Sequence, residues 1–238
     1  MKTNYEPKLE QRAERPYVSI RAQVTLKEWS KANALVSEVF AWLEKKQIAP
    51  AGAPFFRYWI IGDEAQRFHL EVGVPLERMH RGDGRIQAGT MPRGTYATVI
   101  HHGHPDQLHE AYAALEKWRE AQGVKWSTQQ EDKTEVWNGR FESFLTNPSD
   151  QPDPNQWDTE VALLVAGDEP ETAVSDFPKI GKPALRALVY AGYSRLEQLT
   201  QVSEKEILAL HGMGPKAVRL LHEALAVKGW SFAEEQEE

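Results

Sequence analysis

YVSIRAQVTLKEWSKANALVSEVFAWLEKK, residues 17–46, changes its period once. Up to Thr25 the side chains alternate. Val18, Ile20, Ala22 and Val24 point one way, and Tyr17, Ser19, Arg21 and Gln23 the other, as in a half-buried strand. From Trp29 the spacing becomes three and four, so Trp29, Ala32, Val36, Val39 and Leu43 make one apolar helical stripe. IAPAGAP, residues 48–54, ends that helix with prolines and a glycine. Two strands are predicted next, over 54–61 and 67–76. Phe68, Leu70, Val72 and Val74 share a face of the second, and Gly62-Asp63-Glu64 turns between the two.

The same order then recurs. Residues 84–102 read as strand, broken at Met91-Pro92-Arg93-Gly94. Residues 106–121 read as a helix with Leu108, Ala111, Tyr112, Leu115 and Trp118 on one face. Strands follow over 137–145 and 159–166, separated by a Pro/Asp/Asn-rich loop at 147–155. The duplication is one of elements, not of residues. Two strand-helix-strand-strand units pair their sheets and leave a cleft between them. GDEPETAVSD, residues 167–176, is acidic and aperiodic and reads as a linker. Short helices separated by glycines continue to about Lys228. The expected fold class is α+β, with duplicated units around a central cleft over 1–166. A small all-α domain over 177–230 and an acidic tail over 231–238 complete the chain.

Composition narrows the function classes. The 238 residues include no cysteine, which excludes disulfides, thiolate metal sites and a cysteine nucleophile. No stretch approaches the roughly 18 apolar residues of a membrane helix. The opening MKTNYEPKLEQRAERP is charged and lacks the apolar core of a secretion signal, so a reducing cytoplasm is the simplest location. The net charge of −7 divides unevenly, with −7 over 1–176, +4 over 177–230 and −4 in the tail. A basic segment on an acidic protein points to a partner of its own. No G-x-S-x-G elbow, Walker loop or dinucleotide fingerprint is present, and no cofactor is expected. In HHGH, residues 101–104, His101 and His102 point to opposite sides of a strand and no HExxH helix follows, so no metal is assigned.

Four segments in order resemble GyrI-like domains, the effector-binding domains of some multidrug-responsive transcription regulators. They are PRGTYA (92–97), HHGHP (101–105), RFESFLTNP (140–148) and WDTEVALLV (157–165). The resemblance covers about residues 16–166. It implies a cleft that holds amphipathic or cationic small molecules between aromatic walls and a buried carboxylate. Aromatic faces attract cations through their quadrupole, and a carboxylate in an apolar pocket adds a counter-charge. Matched to the family's Glu-x-Tyr pattern, Glu142 is the pocket carboxylate, with Phe144 where the tyrosine stands. Tyr58, Tyr96 and Trp137 are the further ligand-binding candidates. Some GyrI-like proteins hydrolyse cyclopropane-containing compounds, and in that reading Glu142 is a general base. Others inhibit DNA gyrase, which leaves a protein-interaction reading as a third class.

LHGMGPKAVRLL, residues 210–221, resembles a helix-hairpin-helix motif. Two glycines let the backbone approach a phosphate, and the next helix presents free amides to it. The layout of 177–228 is similar to the C-terminal domain of the RNA polymerase alpha subunit. The resemblance implies duplex DNA contacts at Gly212, Gly214, Lys216 and Arg219, with Lys182 and Arg186 beside them, and little sequence reading. The 16 residues ahead of the first repeat are too few for a helix-turn-helix. The expected function is therefore small-molecule binding coupled to non-sequence-specific DNA binding, in a sensor, a sequestering protein or a protector of DNA-associated targets. Limited proteolysis should cut within 169–175 and leave two resistant fragments. Survival of that stretch while other loops are clipped would contradict the division.

Overall fold

A computed structural model describes residues 5–131, 134–167, 176–181, 184–185, 187–188, 191, 193, 195–208, 210 and 213–234. The first repeat is β2 (Arg15–Val24), α1 (Trp29–Lys46), β3 (Phe55–Ile60) and β4 (Phe68–Pro75). The second is β6 (Gly94–His102), α2 (Leu108–Gln122), β9 (Arg140–Phe144) and β10 (Asp158–Leu164). An edge strand β1 (Lys8–Arg12), a second edge strand β5 (Gln87–Met91) and a hairpin of β7 (Thr128–Glu131) and β8 (Thr134–Trp137) are added to these. Eight strands form one antiparallel sheet in the order β1-β6-β10-β9-β3-β4-β2-β5. The two repeats meet at the β9–β3 pair in its middle.

Both helices lie on one face of the sheet. The stripe of α1 buries Ala32, Leu35, Val39 and Leu43, so it centres on Leu35 where the periodicity placed Val36. Gln47, left-handed at φ 56°, ends it. In α2 Leu108, Ala111 and Leu115 are buried, and left-handed Gly123 closes the helix by donating to the Arg119 and Glu120 carbonyls. Two apolar cores result. One joins α1 to Val18, Ile20, Phe56, Tyr58, Leu70 and Val72, and the other joins α2 to Ala97, Val99, Trp137, Val161 and Leu163.

Residues 137–145, read as one strand, are two. The chain bends at Asn138-Gly139, where a side chain on Gly139 would meet Leu164 at 2.7 Å and the Tyr96 hydroxyl at 3.1 Å. β1 has no alternation to betray it, and its only apolar residue, Leu9, is 53% exposed. Beyond residue 176 the described elements include α3 (Glu204–Leu208) and α4 (Pro215–Val227). A further apolar core there gathers Leu188, Leu196, Leu199, Ile207, Val218 and Leu221.

The helix-free face is filled by Tyr17, Phe55, Tyr96, Phe141 and Leu164. Beside them lie two buried charges, Arg57 and Glu71. Arg57 on β3 donates to the Tyr17 hydroxyl at 2.7 Å, to the Thr90 carbonyl on β5 at 3.1 Å and to the Asn138 carbonyl at 3.0 Å, and it stacks on Trp59. Three steps of strand order separate β3 from β5, so the sheet must curl for one guanidinium to reach both. Glu71 accepts from Tyr17, Ser19 and Trp59. Burial pushes the Glu71 carboxyl up, but the Arg57 and Arg21 charges and these hydrogen bonds outweigh it and hold the pKa below the ordinary value of 4.5. A depressed carboxylate contributes stability that is complete above its unfolded pKa and lost as pH falls through the folded one. Glu71→Gln should therefore flatten the acid limb of the stability profile below about pH 4.5. It should also lower neutral-pH stability by about 1–3 kcal/mol, because Arg57 loses its counter-charge. Parallel acid limbs for the two proteins in pH-dependent melts would contradict this assignment.

Candidate functional site

Alternation along β9 sends Arg140, Glu142 and Phe144 to the helix-covered face, and Phe141 and Ser143 to the other. Glu142 faces Phe56 on β3 and Val161 on β10. Those two neighbours belong to different apolar cores, so Glu142 sits on the seam between the repeats. It is 8% exposed. Its Oε2 accepts from the Tyr58 hydroxyl at 2.6 Å and its Oε1 from the Tyr112 hydroxyl at 2.6 Å. Tyr58 comes from the first repeat and Tyr112 from α2 of the second. Burial pushes both phenols well above their ordinary pKa, and the adjacent Glu142 charge pushes them further. Both therefore stay protonated and donating.

Aromatic rings surround this carboxylate. Trp29 stacks over Tyr58 at 6.3 Å between centroids, and Phe144 meets Phe56 edge-on at 4.9 Å. The Arg140 guanidinium carbon lies 4.2 Å from the Tyr112 ring centre, 4.7 Å from Trp137 and 5.8 Å from Tyr58. These are cation–π distances.

The structure thus brings together Glu142, Tyr58 and Trp137 of the sequence candidates, with Phe144 one step along the same face. Tyr96 does not join them. Ala97 and Val99 pack under α2, so period-two geometry turns Tyr96 to the helix-free face, where its hydroxyl donates to the Pro92 carbonyl at 2.8 Å. Tyr112 and Arg140, which the sequence did not single out, lie at the same seam. The signals were there: Tyr112 lies on a buried stripe, where a hydroxyl needs a partner, and Arg140 shares the parity of Glu142.

The histidines of HHGH have local partners. His101 shares hydrogen bonds with the Tyr5 hydroxyl at 2.7 Å and the His104 carbonyl at 3.0 Å, His102 pairs with Asp158, and His104 accepts from the Asp106 amide. In the C-terminal segment Lys216 and Arg219 are exposed on α4, and Arg219 approaches Glu223 at 3.6 Å. Gly214 caps that helix in an extended conformation. Gly212, Lys182 and Arg186 lie outside the described residues. A cavity of about 620 Å³ between Arg81 and the Trp230–Glu234 segment shares no residue with the seam.

A profile of the GyrI-like small molecule binding domain matches residues 5–166. No curated protein matches the chain significantly. Solved structures share the fold. The EcmrR–DNA complex in EcmrR-RPo aligns at 22% identity and TM-score 0.57, over 68% of this chain and 57% of that one. The EcmrR C-terminal domain aligns at 21% identity and TM-score 0.52, over 68% and 98%. An uncharacterized conserved protein from Listeria innocua aligns at 12% and 0.50, over 68% and 92%. The chain thus spans little more than half of the first EcmrR chain.

The clasp around Glu142 has a measurable cost of removal. Tyr58→Phe and Tyr112→Phe should each lower stability by about 1–3 kcal/mol, the range for hydrogen bonds to a charged group. The double variant should depart from additivity, since both phenols share one carboxylate. Denaturant melts showing neutral, additive changes would mean that the clasp does not hold the two repeats together.

Proposed function

The chain belongs to the GyrI-like small-molecule-binding domain family, and from that premise we propose that it binds an amphipathic small molecule at the Glu142 seam. One observation carries the reading: a buried carboxylate is held by two neutral phenols, one from each repeat. A charge in an apolar interior is expensive, and replacing such groups by packed apolar residues is often neutral or stabilising for a fold. We take the carboxylate kept there, between Trp29, Phe144 and Trp137, as the polar anchor of the binding site. The rings supply apolar area for a ligand body, and the clasped carboxylate fixes its orientation.

The test is a panel of aromatic amphiphiles scored by thermal shift and calorimetry, with the ligand recovered afterwards. Glu142→Gln keeps the volume and removes the charge, so it should change the affinity of a seam ligand by about 1–3 kcal/mol. An unchanged affinity would place binding elsewhere. A binder returns the compound intact. Recovery of a hydrolysed product, lost in Glu142→Gln, would replace this reading by a hydrolase with Glu142 as general base.

For residues 177–230 we propose weak, sequence-tolerant contact with duplex DNA through the first turn of α4. The exposed Lys216 and Arg219 follow Gly214 at a helix N-terminus, where amides are unpaired. Binding should weaken with salt at a log-log slope of about −0.9 per phosphate neutralised. Replacing Lys216 and Arg219 together by glutamate should abolish it. Equal affinity of the double variant at low salt would sink the proposal.

A further inference from the structure

Resting on the seam reading above, we propose that Arg140 sets the ligand class: the site takes an amphiphile without positive charge, whose carboxylate, sulfonate or carbonyl oxygen accepts from the Arg140 guanidinium. The two charges in the seam differ in what each still lacks. Glu142 has both oxygens engaged by phenols at 2.6 Å. Each oxygen thus has a donor, and the two donated protons disperse its charge. Arg140 is in the opposite condition. Its guanidinium lies against three rings, at 4.2 Å, 4.7 Å and 5.8 Å, and also interacts with the Tyr112 hydroxyl, whose own proton goes to Glu142. Its Nε is buried and has no hydrogen-bond partner among the described residues. A buried donor without an acceptor is destabilising, and a ligand oxygen that reaches it removes that penalty.

The same geometry acts against cations. The faces of Tyr112, Trp137 and Tyr58, which would attract a cationic ligand, are already occupied by a tethered one. An incoming ammonium or iminium group must displace Arg140 or sit beside it. Displacement forfeits the cation–π contacts, and proximity adds like-charge repulsion in a site of low dielectric. Arg140 thus works as a specificity residue through its charge and its unmet donor, while Glu142 and the phenols position it.

Two dyes with a shared xanthene body test this by fluorescence polarisation at pH 8: fluorescein as the anion and rhodamine 6G as the cation. The wild-type chain should bind fluorescein at least tenfold more tightly than rhodamine 6G. Arg140→Met keeps length and apolar character, and should weaken fluorescein tenfold or more while tightening rhodamine 6G. Arg140→Lys retains the charge without the Nε–H and serves where the methionine variant fails to fold. It should weaken fluorescein yet still exclude the cation. Wild-type preference for rhodamine 6G, or loss of both dyes in parallel on replacing Arg140, would overturn the charge selection. Binding of either dye that ignores Glu142→Gln as well as the Arg140 variants would instead overturn the seam reading itself.

Discussion

A carboxylate is buried on the line where two apolar cores touch. Glu142 stands between Phe56 of one core and Val161 of the other, and no alkyl side chain could take its place without releasing two phenols. Those phenols belong to different repeats, so the hydrogen bonds that satisfy Glu142 also tie the halves together. Neither core can shift against the other without leaving a buried anion unpaired, which costs several kcal/mol. The central strand pair, the docking of α2 and the placement of the aromatic walls all depend on this arrangement.

The opposite face of the sheet obeys a similar rule with other residues. There Arg57 links β3 to the Thr90 carbonyl of β5 and to the Asn138 carbonyl before β9. The sheet curls over that cluster. Both faces thus carry buried polar groups at the middle strands. Nε of Arg57 on one face and Nε of Arg140 on the other are alike buried without a hydrogen-bond partner among the described residues. What distinguishes the seam is that its guanidinium lies beside three rings and next to a carboxylate clasped by phenols from both repeats.

Much of this was legible in the sequence. The change of period in residues 17–46 and its recurrence gave the duplicated unit, because amphipathic helices and half-buried strands leave distinct spacings. Glu142 and Phe144 followed from alternation within RFESF together with the family likeness. That Tyr96 faces away from Glu142 was not readable, because alternation shows which residues share a face, and not which face the helices cover; only Ala97 and Val99 beneath α2 decide that. Tyr112 was readable as core and not as donor, since its partner lies 30 residues away. The turn at Asn138-Gly139 was legible and overlooked: Asn-Gly is a strong turn signal, and Leu164 and Tyr96 leave no room for a side chain on Gly139. β1 is too charged to announce itself and is a strand only because β6 offers it an edge.

The central claim is that the seam, and not the open cavity beside Trp230, is where a small molecule binds. A crystal structure of the chain soaked with an aromatic amphiphile measures this most directly. The account predicts ligand density against Trp29, Tyr112 and Trp137, with an oxygen within hydrogen-bond reach of Arg140. Density confined to the cavity between Arg81 and Trp230, with the rings around Glu142 unmoved, would contradict it.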